Sequence, residues 1–271
     1  MPTGHPTIAD WWAGARPRTL PAAVVPVVVG AAAALAPDVA FGDAVGAIAW
    51  WRVVAALAVS LLLQIGVNYA NDYSDGVRGT DDARVGPMRL VASGSATPSA
   101  VKRAALTAFG VAALIGLAVA ATTSWWLIAA GAAAILAAWG YTGGPKPYGY
   151  LGLGELFVFT FFGLMATVGT TYVAVEHVPV VAWPAACGVG FLACALLAVN
   201  NLRDIPTDAV SGKRTLAVRL GDSLTRRFYV VLLVAAGACA AICAVWRPWS
   251  LLALAAVVVA VPPARTVLGG A

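Results

Sequence analysis

The chain has 271 residues, of which 61% are hydrophobic and only 11% charged, and its mean hydropathy is +0.85. A soluble domain carries about 25% charged residues, and a water-soluble fold of this length cannot hide so much apolar surface. Composition therefore excludes a soluble globule, a disordered chain and a coiled coil, and points to an integral membrane protein.

A bilayer core of about 30 Å takes roughly 20 apolar residues in a helix. Eight runs meet that standard, at about 20–36, 48–70, 104–123, 125–142, 153–175, 178–200, 228–246 and 248–264. The first follows Arg16 and Arg18 and has the outline of a signal peptide, but Pro21, Pro26 and seven further spans argue for a retained, kinked helix. The whole chain, 1–271, reads as one all-α domain, a polytopic bundle of membrane helices. Cys187, Cys194, Cys239 and Cys243 lie inside apolar runs without paired spacing, so they read as packing residues in a reduced environment.

Basic residues set the orientation. With connections assigned alternately to two sides, fifteen of the seventeen Lys and Arg fall on the side of the amino terminus, leaving Arg52 and Arg247 opposite. By the positive-inside rule the amino terminus and the two long connections, about 71–103 and 201–227, are cytoplasmic, in a cell membrane. The basic excess is thereby explained without nucleic acid.

The same two connections concentrate the acids. Asp72, Asp75, Asp81, Asp82, Asp204, Asp208 and Asp222 lie there, seven of the twelve acidic residues, with Glu155 just inside the next cytoplasmic mouth. Asn68, Asn71, Asp72 and Asp75 run off the second span at i, i+3, i+4 and i+7, so two amides and two carboxylates share one helical face. Asn200, Asp204 and Asp208 run off the sixth at i, i+4 and i+8, with Pro206 expected to disturb the geometry. A weak duplication, spans one to four against five to eight, would bring the clusters face to face. Two opposed acidic faces repel unless cations lie between them, and hard oxygen donors suit magnesium completed by water and substrate phosphates. Arg78, Arg84 and Arg89 follow the first cluster and Lys213 and Arg214 the second, the company a diphosphate needs.

These residues resemble the UbiA-type intramembrane prenyltransferases, and within them the branch that prenylates 1,4-dihydroxy-2-naphthoate in menaquinone synthesis. The resemblance rests on Arg16-Pro-Arg-Thr-Leu-Pro21, Asn71-Asp72-Tyr-Ser-Asp75-Gly-Val-Arg-Gly79-Thr-Asp81 and Gly86-Pro-Met-Arg89. It continues in Tyr141-Thr-Gly-Gly-Pro-Lys146-Pro-Tyr148-Gly-Tyr-Leu-Gly-Leu-Gly-Glu155, Asp204-Ile-Pro-Thr-Asp208 and Gly212-Lys213-Arg214, and covers nearly the whole chain. It implies a helical bundle around a central cavity open to the cytoplasm. Asp72 and Asp75 would hold one magnesium and Asp204 and Asp208 another, supported by Asn68 and Asn71, with Asp81 as the later acid of the first motif. Lys146, Arg78, Lys213 and Arg214 match diphosphate-binding positions, and Arg89 and Tyr148 belong to the same motifs. The implied substrates are a polyprenyl diphosphate and 1,4-dihydroxy-2-naphthoate, joined with loss of diphosphate and carbon dioxide. Tyr73, Tyr141, Tyr148 or Phe162 would face the allylic cation. Arg16, Arg18 and Glu155 are candidates for the acceptor. The family has nine spans against the eight visible here, which implies a last helix missing from this chain or two helices merged in one run.

His5 and His177 lie away from the clusters, and no Ser/His/Asp or Cys/His arrangement is present. The ten Trp, including Trp11-Trp12 and Trp125-Trp126, read as interfacial anchors. Two alternatives stay open: another aromatic or sugar-phosphate acceptor for the same chemistry, and a cation-coupled transporter, whose acids would sit nearer the midplane.

Overall fold

The computed structural model describes residues 6–35, 40–79 and 88–270. Its helices in chain order are α1 (Ile8–Gly14), α2 (Pro21–Ala34), α3 (Phe41–Gly46), α4 (Trp50–Arg78), α5 (Pro98–Thr122) and α6 (Trp126–Gly140). They continue as α7 (Gly154–Val175), α8 (Ala182–Val210), α9 (Leu216–Cys243) and α10 (Pro248–Gly269). Among the described residues, six helices are long and apolar enough to cross a membrane, and the bent pair Ile8–Thr19 and Pro21–Ala34 makes a seventh. The protein is a multi-pass membrane protein. Each predicted run overlaps one of these elements, and none divides into two spans. The fourth, α6, has 15 residues; at 1.5 Å per residue it is about 22 Å long, shorter than the bilayer core.

The kink in the first segment is 50° and falls between Thr19 and Pro21, not at Pro26 inside α2. Thr7 and Asp10 cap α1 reciprocally, and Arg16 takes a left-handed conformation where the chain turns. Trp11 then stands edge-on to Tyr69 of α4, whose hydroxyl donates to the Trp11 carbonyl at 2.8 Å.

Two sequence expectations are corrected. Residues 71–78 of the first long connection and 201–210 of the second are helical, because α4 continues to Arg78 and α8 to Val210. Hydropathy registers where the apolar run ends, whereas the backbone bonds of a helix continue into a polar one. Pro206 does not break α8; it removes one backbone donor close to the helix end, where a lost hydrogen bond is least disruptive. Both acidic clusters therefore sit on rigid helix.

Packing is between small residues at close range. Inside α7, Phe159–Met165 form a π-helical turn that brings Gly163 against Gly190 of α8, where an added Cβ would lie 2.5 Å from the Gly190 Cα. Thr171 of α7 donates to the Gly30 carbonyl of α2 at 2.8 Å. Cys194, Ala198 and Leu202 of α8 pack on Tyr229 and Leu232 of α9. At the end away from the acidic clusters, Arg52 bridges Glu176 at 2.6 Å and the Thr122 carbonyl at 2.5 Å, and Arg247 donates to the Leu35 carbonyl. The two basic residues of that end thus tie helix ends together. All four cysteines are free thiols, three of them buried.

Candidate active site

A cavity of about 480 Å³ runs through the bundle, walled by α2 and α4–α8. One end is polar: Asn68, Asn71 and Asp75 from α4 and Asn200, Asn201, Asp204 and Asp208 from α8 line it, together with Arg16, Arg89 and Lys213. The other end is apolar, lined by residues such as Val59, Val119 and Val173 and by Gly116, Gly131 and Gly169. Asp75 and Ala56 mark the two ends along α4, 19 positions apart, or about 28 Å at 1.5 Å per residue.

Asp75 is the hub of the polar end. Its Oδ1 accepts from the Tyr150 hydroxyl at 2.8 Å, and its Oδ2 accepts from Lys213 Nζ at 3.2 Å and lies 3.6 Å from Arg89 Nη2. Lys213 also sits 4.9 Å from the Tyr150 ring centroid, a cation–π contact. The turn at 148–152 and the loop after α8 are joined by the Arg214 N–H, which donates to the Tyr150 carbonyl at 3.0 Å. Gly152 closes that turn with φ of 74°, and a Cβ there would meet Arg219 Nε at 2.9 Å, so only glycine serves. Across the cavity Asp204 accepts a bidentate pair of bonds from Arg203, at 2.6 and 2.9 Å.

The amides have separate tasks. Asn71 accepts from the Thr142 hydroxyl at 2.7 Å. Asn68 donates to the Ala15 carbonyl at 2.9 Å and to Thr19 Oγ1 at 3.0 Å, which holds the bend of the first segment against α4. Tyr141 and Tyr148 line the cavity edge-on to each other at 5.5 Å, and Tyr148 stacks on Phe157 at 3.8 Å. Burial holds the Tyr148 phenol well above the usual tyrosine range.

Several sequence-predicted residues stand elsewhere. Asp72 does not line the cavity; it is 1% exposed and its carboxylate accepts from the Leu90 and Val91 N–H groups at 2.7 and 3.0 Å. Arg78 donates to the Thr142 and Gly144 carbonyls and lies beside the Tyr150 ring, bracing the 142–144 turn from outside. Lys146, Arg214 and Arg18 are exposed and off the cavity wall, whereas Arg16 lines it. Glu155 is buried behind the wall, where it accepts from Asn201 at 3.1 Å. Tyr73 packs on Trp139 and Lys102, away from the cavity, whereas Phe162 lines it. Asp81, Asp82 and Arg84 lie outside the described residues, as does His5. Reasoning from sequence missed Tyr150, Thr142 and Arg203. Their signal was adjacency: Tyr150 and Thr142 fall inside quoted motifs, and Arg203 precedes Asp204.

The donor set suits magnesium, with hard carboxylate and amide oxygens facing one space. Among the described residues no three His, Cys, Asp or Glu converge into a closed cage, as expected where an ion takes few protein ligands and completes its shell with water and phosphate oxygens.

The sequence pattern of the UbiA prenyltransferase family matches residues 23–268. The chain is 51% identical over 264 residues to 1,4-dihydroxy-2-naphthoate octaprenyltransferase of Mycobacterium tuberculosis, covering 97% of this chain and 88% of that protein. It is 38% identical over 248 residues to the Escherichia coli protein of the same name, covering 86% and 75%. Its fold matches that of a UbiA homolog from Archaeoglobus fulgidus bound to GPP and Mg2+, with a TM-score of 0.68 at 14% identity, covering 89% of this chain and 83% of that one.

Proposed function

The chain belongs to the UbiA prenyltransferase family, and from that premise we propose that it transfers a polyprenyl group from polyprenyl diphosphate to 1,4-dihydroxy-2-naphthoate. The ring carbon bearing the carboxylate takes the prenyl group, and carbon dioxide and diphosphate leave, giving demethylmenaquinol. One observation carries the reading: a mainly apolar cavity has its carboxylates and basic groups gathered at a single end.

Lys213, Arg89 and Arg16 face the polar end and attract the diphosphate there. Asp75 with Asn71 on one wall, and Asp204 with Asp208 on the other, would hold two magnesium ions. When bound, magnesium neutralises the diphosphate and improves it as a leaving group. The prenyl tail lies among the apolar side chains toward Val119 and Val173. Tyr141, Tyr148 and Phe162 line the cavity and supply aromatic rings near the carbon that becomes positive as the diphosphate departs. No side chain has to form a covalent bond with substrate. The excess of Lys and Arg on the polar end supports placing that end, and the amino terminus, in the cytoplasm.

The relatives at 51% and 38% identity bear the naphthoate name, which favours this acceptor over other aromatics. A panel of acceptors tests it. Purified protein in nanodiscs, given radiolabelled polyprenyl diphosphate and magnesium, should make a labelled lipid from 1,4-dihydroxy-2-naphthoate and little from 4-hydroxybenzoate. The reverse preference would move the protein to another pathway.

A further inference from the structure

We infer that Asp72 is a positioning residue and not a metal ligand: its carboxylate clamps the backbone of Leu90 and Val91 and thereby holds Arg89 against Asp75 in the cavity. The inference rests on the site reading proposed above and revises one residue of it.

The geometry separates Asp72 from its neighbours. A residue on a helix is turned about 100° from the next, so Asn71, Asp75, Asn68 and Asp72 spread in that order across an arc of roughly 100°, with Asp72 at one edge. The cavity takes Asn71, Asp75 and Asn68. The segment 89–91 covers the edge that Asp72 occupies. There each oxygen of Asp72 accepts one backbone N–H, Oδ2 from Leu90 at 2.7 Å and Oδ1 from Val91 at 3.0 Å.

The clamped segment is held at two further points. The Leu90 side chain is completely buried in a cluster with Tyr69, Val101 and Phe109. Val91 lies on the bare backbone of Gly76, where an added Cβ would fall 2.5 Å from Val91 Cγ1. With Leu90 and Val91 immobile, the residue immediately before them has little freedom. That residue is Arg89, whose guanidinium lines the cavity 3.6 Å from Asp75 Oδ2. One turn of α4 thus carries two carboxylates with different work: Asp75 faces substrate, and Asp72 fixes the arginine that joins it.

Replacing one carboxylate oxygen with an amide N–H sets donor against donor at one of the two amides and loosens the clamp. For Asp72→Asn the KM for prenyl diphosphate should rise by about tenfold or more, the cost of one charge-assisted hydrogen bond. The magnesium concentration giving half-maximal rate should stay unchanged. Arg89→Ala should reproduce the rise in KM, and adding Asp72→Asn to it should change KM little further, since both act through one guanidinium. Additive effects of the pair, or a weakened magnesium response in Asp72→Asn, would overturn the inference.

The wild-type protein supplies a readout that needs no variant. Hydrogen exchange at the Leu90 and Val91 amides should be equally slow in EDTA and in magnesium with inorganic diphosphate. Faster exchange on adding magnesium and diphosphate would mean that Asp72 leaves the backbone for the metal, and would overturn the inference. Asp75→Asn separates this failure from that of the site itself. If Asp75→Asn loses its magnesium response and Asp72→Asn does too, only the assignment of Asp72 falls. If Asp75→Asn keeps a normal magnesium response and donor KM, the whole site reading falls.

Discussion

Lys213 and Asp75 are 138 residues apart in the chain and meet at 3.2 Å. Their contact joins the loop after α8 to the face of α4, and so connects the two acidic clusters at the polar end of the cavity. Both side chains are nearly buried, which makes the ammonium a fixed charge and not a mobile surface one. Lys213→Ala removes that charge and leaves Asp75 with the Tyr150 hydroxyl and Arg89. The expected result is a rise in donor KM of about 10- to 100-fold, the range for a lost charge-assisted hydrogen bond. Steady-state kinetics with varied prenyl diphosphate measures it.

The buried phenol of Tyr148 stays protonated well beyond the ordinary tyrosine range. It should produce no inflection in rate between about pH 6 and 9. Its sign in stability is definite: a phenol whose folded value is raised holds full stability below the unfolded value, about 10, and loses it as pH rises from there. Thermal unfolding in detergent should therefore show a decline above about pH 10 that Tyr148→Phe reduces. Tyr148→Phe keeps the stack on Phe157 and should retain most activity, whereas Tyr148→Ala should not.

Much of this arrangement is legible in the sequence, and the exceptions have physical causes. Eight apolar runs, the two acidic clusters and the basic residues around them follow from hydropathy and spacing alone. Helical spacing does not separate Asp72 from Asp75, because both fall within the same arc of α4. What separates them is the segment 89–91, which covers one edge of that arc, and a contact between distant segments leaves no mark on local periodicity. The same holds for Arg78, which reads as a phosphate ligand and braces the 142–144 turn instead. Tyr150 was hidden for a related reason, since its approach to Asp75 depends on the join between its turn and the Arg214 backbone.

Gly169 of α7 lines the cavity, and nothing lies within 4 Å of where its Cβ would stand. Gly116 of α5 shares both properties. A leucine at either position projects into the space assigned to the prenyl tail. Long-chain donors should lose turnover by about tenfold or more, the scale of overpacking, while geranyl diphosphate is used as before. Paired kinetics with the two donors in one variant checks this and controls for folding.

The contact between Gly163 and Gly190 makes a different prediction. Gly163→Ala forces α7 away from α8, because the 2.5 Å approach is to backbone and cannot yield by side-chain rotation. The expected loss is about 1–3 kcal/mol, read as a lower thermal midpoint of the purified protein in detergent.

The most direct test of the account is the magnesium requirement of the reaction itself, with Asp204→Asn as the comparison. Purified protein in nanodiscs receives radiolabelled polyprenyl diphosphate and 1,4-dihydroxy-2-naphthoate, with magnesium, with EDTA, or with EDTA followed by excess magnesium, and the lipid product is counted. The account predicts product with magnesium, none with EDTA, recovery on adding magnesium back, and no turnover from inserted, folded Asp204→Asn in any condition. Prenylated naphthoquinol formed at a normal rate in EDTA, or by Asp204→Asn in saturating magnesium, would contradict it.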